Sequence, residues 1–184
     1  YLKPGIGFGG PCLDKDLRAL ITVAGENSYD PVMFNGVLRR NELQLQVVMN
    51  KITSALGSSL YRRRIALLGL AFKEGTNDVR YSLSIRLYRA LRDQGASVAG
   101  HDVLAAGEAM ELEPELVAST DVHRVLARAE VVVALNSEPS YADIDWSAAG
   151  TTSERPFVID TRGVLDTSAL EASGITFDVL GSMG

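Results

Sequence analysis

Cysteine is almost missing from this 184-residue chain, which holds one, Cys12. A single thiol excludes an internal disulfide and fits a reducing compartment, the cytoplasm. It also leaves no second sulfur to resolve a mixed disulfide, which weakens a thiol-redox role. Positive charge is in deficit, with 18 Lys and Arg against 23 Asp and Glu. That balance argues against nucleic acid as a partner, because binding phosphates along a strand needs a basic face. No apolar run approaches the roughly 20 residues that cross a bilayer, so no membrane role is expected. No basic-then-apolar leader opens the chain. The first residue is Tyr1 rather than Met, inside a glycine-rich stretch, which reads as a fragment of a longer protein. The two histidines, His101 and His123, match no motif and read as structural or exposed; no metal site is expected.

What is present concentrates at the start. Gly5, Gly7, Gly9 and Gly10, with Pro4 and Pro11, lead into Cys12. Glycine lets a backbone approach a ligand closely, and Pro11 suits a first helical turn. Leu13, Leu17, Leu20 and Ile21 then recur at helical spacing. Cys12 is therefore expected where a glycine loop becomes a helix, and amide groups there favour a thiolate. Lys15 reinforces that effect, and Asp14 and Asp16 oppose it. Two readings follow: a nucleophile beside a substrate loop, or a buried structural thiol.

The rest divides at about residue 60. Residues 11–25 predict a helix closed by Gly25. Asp30 and Pro31 predict the start of a second helix, with Asp30 as cap. Phe34, Val37, Leu38, Leu45, Val48, Ile52 and Leu56 carry it to Gly57 as a long spine. A helix of that reach suits a homodimer face at 31–57 or a spine between domains. Asn41 falls on its apolar stripe and needs a partner, either across a subunit interface or at the stripe's margin. Gly36 suggests close helix packing. Arg62, Arg63 and Arg64 read as a solvated strand entry rather than a phosphate patch.

From Ile65 onward strands alternate with helices. Strands are predicted at 65–71, 97–102, 131–135, 157–160 and 175–180, and helices at 82–94, 121–129 and 165–173. Asp121 caps the second of these. The stretches 104–120 and 136–155 show no clear pattern. The fold class is thus α/β: a helical segment, 1–60, then a Rossmann-like parallel sheet, 61–184. Gly69 and Gly75 do not make G-x-G-x-x-G, so the dinucleotide fingerprint is missing. Ligands of such sheets lie beyond the carboxyl ends of the strands. That rule selects residues 71–80, with Phe72, Lys73, Glu74 and Arg80, then Asp102, then Asn136-Ser137-Glu138, then Asp160-Thr161-Arg162-Gly163. Asp102 reads as a loop-capping carboxylate, and the cations suit a phosphorylated ligand.

Gly7-Phe8-Gly9-Gly10-Pro11-Cys12-Leu13-Asp14-Lys15-Asp16 resembles the catalytic-cysteine segment of the nucleotide-sugar dehydrogenases. UDP-glucose and GDP-mannose 6-dehydrogenases are the best-known members. A second segment, Gly69 to Ser82 with Phe72, Lys73, Thr76, Asp78 and Arg80, is similar to the opening of their carboxyl-terminal domain. A third is Ile159-Asp160 with Arg162. The resemblance covers the central and carboxyl-terminal domains and lacks the amino-terminal NAD-binding domain. It implies oxidation of a sugar CH₂OH to a carboxylate with two NAD. Cys12 would be the nucleophile, with Asp16 positioning water and Lys15 near thiol and nicotinamide. Tyr1, Leu2, Lys3, Gly5, Phe8, Gly9, Phe72, Lys73 and Arg162 would hold the nucleotide-sugar. Cys12, Lys15 and Arg80 would meet the NAD cofactor. A role in polysaccharide biosynthesis goes with it. Tyr81-Ser82-Leu83, Val103 and the Asn136-Ser137-Glu138-Pro139 segment depart from the usual pattern and leave the sugar open. A non-catalytic nucleotide-sugar-binding or dimerisation module is the alternative.

Overall fold

Helix comes first because the apolar residues of 13–56 recur every three or four positions. The structure, a computed structural model, describes residues 5–150 and 154–181. Helix α1 spans Leu13–Glu26 and α2 spans Val32–Leu56. At 1.5 Å per residue α2 reaches roughly 37 Å. Two predicted boundaries shift. Gly25 lies inside α1, which runs one residue further to Glu26 and is capped by Asn27, whose side-chain amide donates to the Val23 carbonyl at 2.8 Å. Asp30 does not cap α2: Pro31 takes the cap position with a non-helical ψ of 48°, leaving Asp30 one residue too early to reach the first amides.

The remainder is a six-stranded sheet, all parallel, in the order β3-β2-β1-β4-β5-β6. Its strands are β1 Arg64–Leu68, β2 Ser97–His101, β3 Val117–Ser119, β4 Val131–Ala134, β5 Phe157–Asp160 and β6 Phe177–Val179. Helices α3 Leu83–Asp93, α4 Ala106–Leu112, α5 Val122–Leu126 and α6 Thr167–Ala172 cross between strands. This is the doubly wound order, with its reversal between β1 and β4. Ser82 caps α3 by accepting from the Ser84 amide, and Asp121 caps α5 by accepting from the His123 amide.

Strand residues alternate between two apolar layers. Ile65, Leu67, Val131 and Val133 face α3 and the second half of α2, against Ile52, Val48, Leu87 and Leu91. Ala66, Leu68, Val132 and Ala134 face the other way, against Val125, Trp146 and Leu170. Burial on both faces explains why β1 and β4 read as unbroken apolar runs. Ile6 from the glycine loop joins the first layer, so the loop is anchored in the same core as the sheet.

β3 and α4 fill the stretch where the sequence shows no pattern. β3 has three residues and pairs only with β2. An edge that short carries no readable alternation. Two 3₁₀ turns, Pro139–Asp143 and Trp146–Ala148, occupy the other unpatterned stretch and bury Tyr141 and Trp146. No helix among the described residues is long and apolar enough to cross a membrane.

Candidate active site at the carboxyl edge of the sheet

Reversal of strand order opens a crevice between the ends of β1 and β4. Two buried carboxylates shape its rim. Asp102, just past β2, accepts from the amides of Leu70 and Ala71 through Oδ2 and of Leu104 and Ala105 through Oδ1, at 2.8–3.1 Å. Asp160, the last residue of β5, accepts from Arg162 and Gly163 through Oδ1 and from Val164 and Leu165 through Oδ2, at 2.8–2.9 Å. Each carboxylate folds a loop around itself. Asp102 is thereby the loop cap expected of it. The amides that would meet a pyrophosphate at the first turn of the sheet are committed to Asp102. Gly69 takes φ +93°, and the Asn136 side chain would lie 2.3 Å from any added Cβ. The Leu70 and Ala71 amides of that turn are already engaged.

The segment after β1 closes on itself. Phe72 donates its amide to the Asp78 carbonyl at 3.1 Å, and the Ser82 hydroxyl donates to the Leu70 carbonyl at 2.7 Å. Phe72 and Lys73 stand at its tip. The glycine loop of residues 5–10 lies across this edge. An added Cβ on Gly5 would sit 2.5 Å from the Arg162 guanidinium, and one on Gly10 would sit 2.7 Å from the Phe72 ring. At Gly9 it would sit 2.6 Å from the Tyr81 carbonyl oxygen, which also accepts from the Gly10 amide at 3.2 Å. The glycines are there because three side or main chains of the sheet domain occupy the Cβ positions. Arg162 is oriented by its own amide on Asp160 and by Nε, which donates to the Leu135 carbonyl at 3.1 Å.

Between loop and sheet lies a cleft of about 450 Å³ lined by Gly7, Phe8, Gly9, Leu13, Phe72, Lys73, Glu74, Ser137 and Arg162. Of the residues singled out for a nucleotide-sugar, Phe8, Gly9, Phe72, Lys73 and Arg162 line it, and Gly5 is packed under Arg162. Tyr1, Leu2 and Lys3 lie outside the described residues. Glu74 and Ser137 also line the cleft, and both belong to the stretches selected beyond the ends of β1 and β4.

Cys12 is exposed and occupies the cap position of α1, two residues past Gly10. The buried-thiol reading does not hold. Pro11 precedes the cap instead of opening the first turn. Lys15 and Asp16 are exposed, and Lys15 Nζ lies 3.6 Å from Asp16 Oδ1. None of Cys12, Lys15 and Asp16 lines the cleft, whose nearest member on this helix is Leu13. Arg80 faces a separate cavity of about 480 Å³, beside Tyr81, Arg86 and Arg89. Its guanidinium is 2.7 Å from the Asp78 carboxylate, which holds the Arg80 pKa above its ordinary value, with the nearby Tyr81 and Cys12 adding to it. The same hydrogen bond lowers the pKa of Asp78. Arg63 and Arg64 belong to the opposite end of the sheet and are bound to Glu130, as a strand entry should be.

Asn41 finds its partner within the chain. Its amide makes two hydrogen bonds to the backbone of Phe8, so the interface role expected for it is not needed. Among the described residues nothing lies within 4 Å of a Cβ added at Gly36.

Residues 66–167 match the family model described as UDP-glucose/GDP-mannose dehydrogenase family, UDP binding domain. Residues 1–43 match that of the central domain of the same family. UDP-glucose 6-dehydrogenase TuaD of Bacillus subtilis is 32% identical over 98% of this chain and 39% of its own length. UDP-glucose 6-dehydrogenase of Rickettsia bellii is 28% identical over 99% of this chain and 42% of its own. The chain thus spans about two fifths of these relatives. Among solved structures, a UDP-glucose dehydrogenase from Pyrobaculum islandicum superposes with a TM-score of 0.80 at 32% identity. It covers 91% of this chain and 37% of that one. A GDP-mannose dehydrogenase from Pseudomonas aeruginosa gives 0.77 at 28%, over 90% and 38%. Two models of one family match this chain, one of them over more than half of it, and the chain belongs to the UDP-glucose/GDP-mannose dehydrogenase family.

Proposed function

We propose that this chain is the part of an NAD-dependent nucleotide-sugar 6-dehydrogenase that carries its nucleophile and one wall of its substrate site. UDP-glucose is the substrate that its relatives favour, and GDP-mannose is the alternative. The observation that carries the reading is the placement of one exposed sulfur at the start of a helix, directly after a glycine loop that packs on Phe72 and Arg162. Arg162 and Lys73 supply positive charge for a diphosphate. Phe8 and Phe72 supply flat apolar surface, and the loop's glycines allow close approach.

The chemistry needs sulfur for a definite reason. An aldehyde has no second oxygen on carbon to support further oxidation. Addition of the Cys12 thiolate to that carbon gives a tetrahedral thiohemiacetal. Its oxidation leaves a thioester, and water cleaves the C–S bond, giving the carboxylate and returning the thiolate. In this reading Asp16, one turn along α1 from Cys12, orients that water, and Lys15 steadies negative charge. NAD supplies the hydride acceptor. Two amides of the first turn are engaged by Asp102, and this reading has the cofactor carried outside this sheet, with Cys12, Lys15 and Arg80 as the groups this chain would offer it. Cytoplasmic location accords with a free, exposed thiol.

The same reading takes α2 as a homodimer face. In its support, α1 buries no residue, and Leu20, Val23, Met33, Val37 and Leu43 leave apolar surface on α1 and α2. Sedimentation at micromolar concentration should show a dimer; a clean monomer overturns that part.

The catalytic reading is tested with Cys12→Ser in the intact protein. Uronate formation should be lost while calorimetry still detects UDP-glucose binding. Unchanged turnover would refute it and favour a binding module of the same fold.

A further inference from the structure

We infer that Asn41 is the positioning residue of the glycine loop: from the middle of α2 its side-chain amide fixes the backbone of Phe8 and so sets the path that leads to Cys12. This rests on the reading of that loop as the nucleotide-sugar cradle. Asn41 is buried, on the apolar side of a long helix, where an unpaired amide is unfavourable. Both ends of the amide are used on one residue. Oδ1 accepts from the Phe8 amide at 2.8 Å, and Nδ2 donates to the Phe8 carbonyl at 2.9 Å. Paired residues of adjacent strands exchange bonds in the same way. Asn41 therefore stands in for a neighbouring strand that the loop lacks. Because Phe8 presents one donor and one acceptor, the orientation of the amide is dictated by its partners.

Neighbouring residues fit the role. An added Cβ on Gly7 would lie 2.2 Å from Asn41 Oδ1, so a glycine is required for the side chain to reach the backbone. One turn along α2, Gln44 Nε2 lies 3.5 Å from the Gly5 carbonyl, a longer contact to the same loop. On its other edge, among the described residues, the Gly10 amide donates to the Tyr81 carbonyl at 3.2 Å. Asn41 is thus the firmer of the attachments. Phe8 and Gly9, which line the cleft, move if it is released, and α1 starts with Cys12 only two residues past Gly10.

The test compares the intact protein with its Asn41→Ala and Asn41→Asp variants by two measurements. Amide hydrogen exchange reads the loop directly, and calorimetry reads the affinity for UDP-glucose. Exchange at Phe8 should accelerate roughly tenfold or more in Asn41→Ala, with β1 and β4 unchanged. Affinity should fall about tenfold, the worth of one net hydrogen bond or slightly more. Asn41→Asp keeps the size and the acceptor but sets a carboxylate oxygen against the Phe8 carbonyl, and should lose at least as much as Asn41→Ala. It also carries the test should the alanine variant fail to fold. A lowered thermal midpoint with unaltered affinity in the folded protein would mean a merely structural role and overturn the inference. Unaltered exchange at Phe8 would overturn it as well. If the unaltered protein binds no UDP-glucose, the cradle reading fails, and exchange at Phe8 by itself then decides whether Asn41 holds the loop.

Discussion

Replacing Asp160 by Asn exchanges one oxygen for an NH₂ group and should cost more than most core truncations of similar size. The carboxylate is 1% exposed and accepts four backbone amides, two on each oxygen. Asn retains one acceptor oxygen for one pair and turns its own donor toward the other pair. Two backbone N–H groups then lose their acceptor and face a like group. An orphaned buried donor costs about 1–3 kcal/mol, and the remaining bonds lose the assistance of the charge. Three of the four amides are only partly buried, so water relieves some of that penalty. About 2–4 kcal/mol is the expected loss, a large part of the roughly 5–15 kcal/mol that holds a domain folded. Urea unfolding at neutral pH should show a lower midpoint at an unchanged slope. Asp102→Asn serves as the internal comparison, since it disrupts the same arrangement at β2 and should fall in the same range. A loss below about 1 kcal/mol at an unchanged slope would refute the idea that Asp160 organises the loop bearing Arg162.

Gly10→Ala meets two obstacles, a φ of +82° and the Phe72 ring 2.7 Å from the new carbon. It should lower stability by about 1–3 kcal/mol and weaken UDP-glucose binding; an unchanged thermal midpoint would contradict the packing described. His101 is buried, with Nδ1 2.9 Å from the Tyr141 hydroxyl and Nε2 3.3 Å from the Thr120 carbonyl, so Nε2 carries the proton and Nδ1 accepts from Tyr141. Burial lowers its pKa, against the raising effect of the Thr120 carbonyl and of Asp102, Glu138 and Asp121. The unfolded chain therefore binds the extra proton first. The contribution to stability is full above about pH 6.5 and is lost as pH falls below it, with a slope of up to about 1.4 kcal/mol per pH unit. Thermal unfolding between about pH 5 and 6.5 should lose that slope in His101→Asn, and the same slope in the variant would refute the assignment. Exposed Cys12 should be alkylated to completion by iodoacetamide in the folded protein; reaction only after denaturation would contradict its exposure.

Local order was legible where a short pattern governs it. The apolar periods of α1, α2 and α3, the double-sided burial of β1 and β4, and the cap Asp121 depend on neighbours within a few residues. The cysteine loop announced itself because its glycines are crowded together in sequence. Tertiary structure alone decided the rest. Strand order, the edge strand β3, the Asn41–Phe8 bonds across 33 positions and the pairing of Gly5 with Arg162 all join residues far apart along the chain. A glycine in the sequence shows that a side chain is missing; only the fold shows which atom takes its place. Asn41 makes the point in one residue: its sequence position demanded a hydrogen-bonding partner, and whether that partner lay in another subunit or in the loop was a matter of distances that no periodicity encodes.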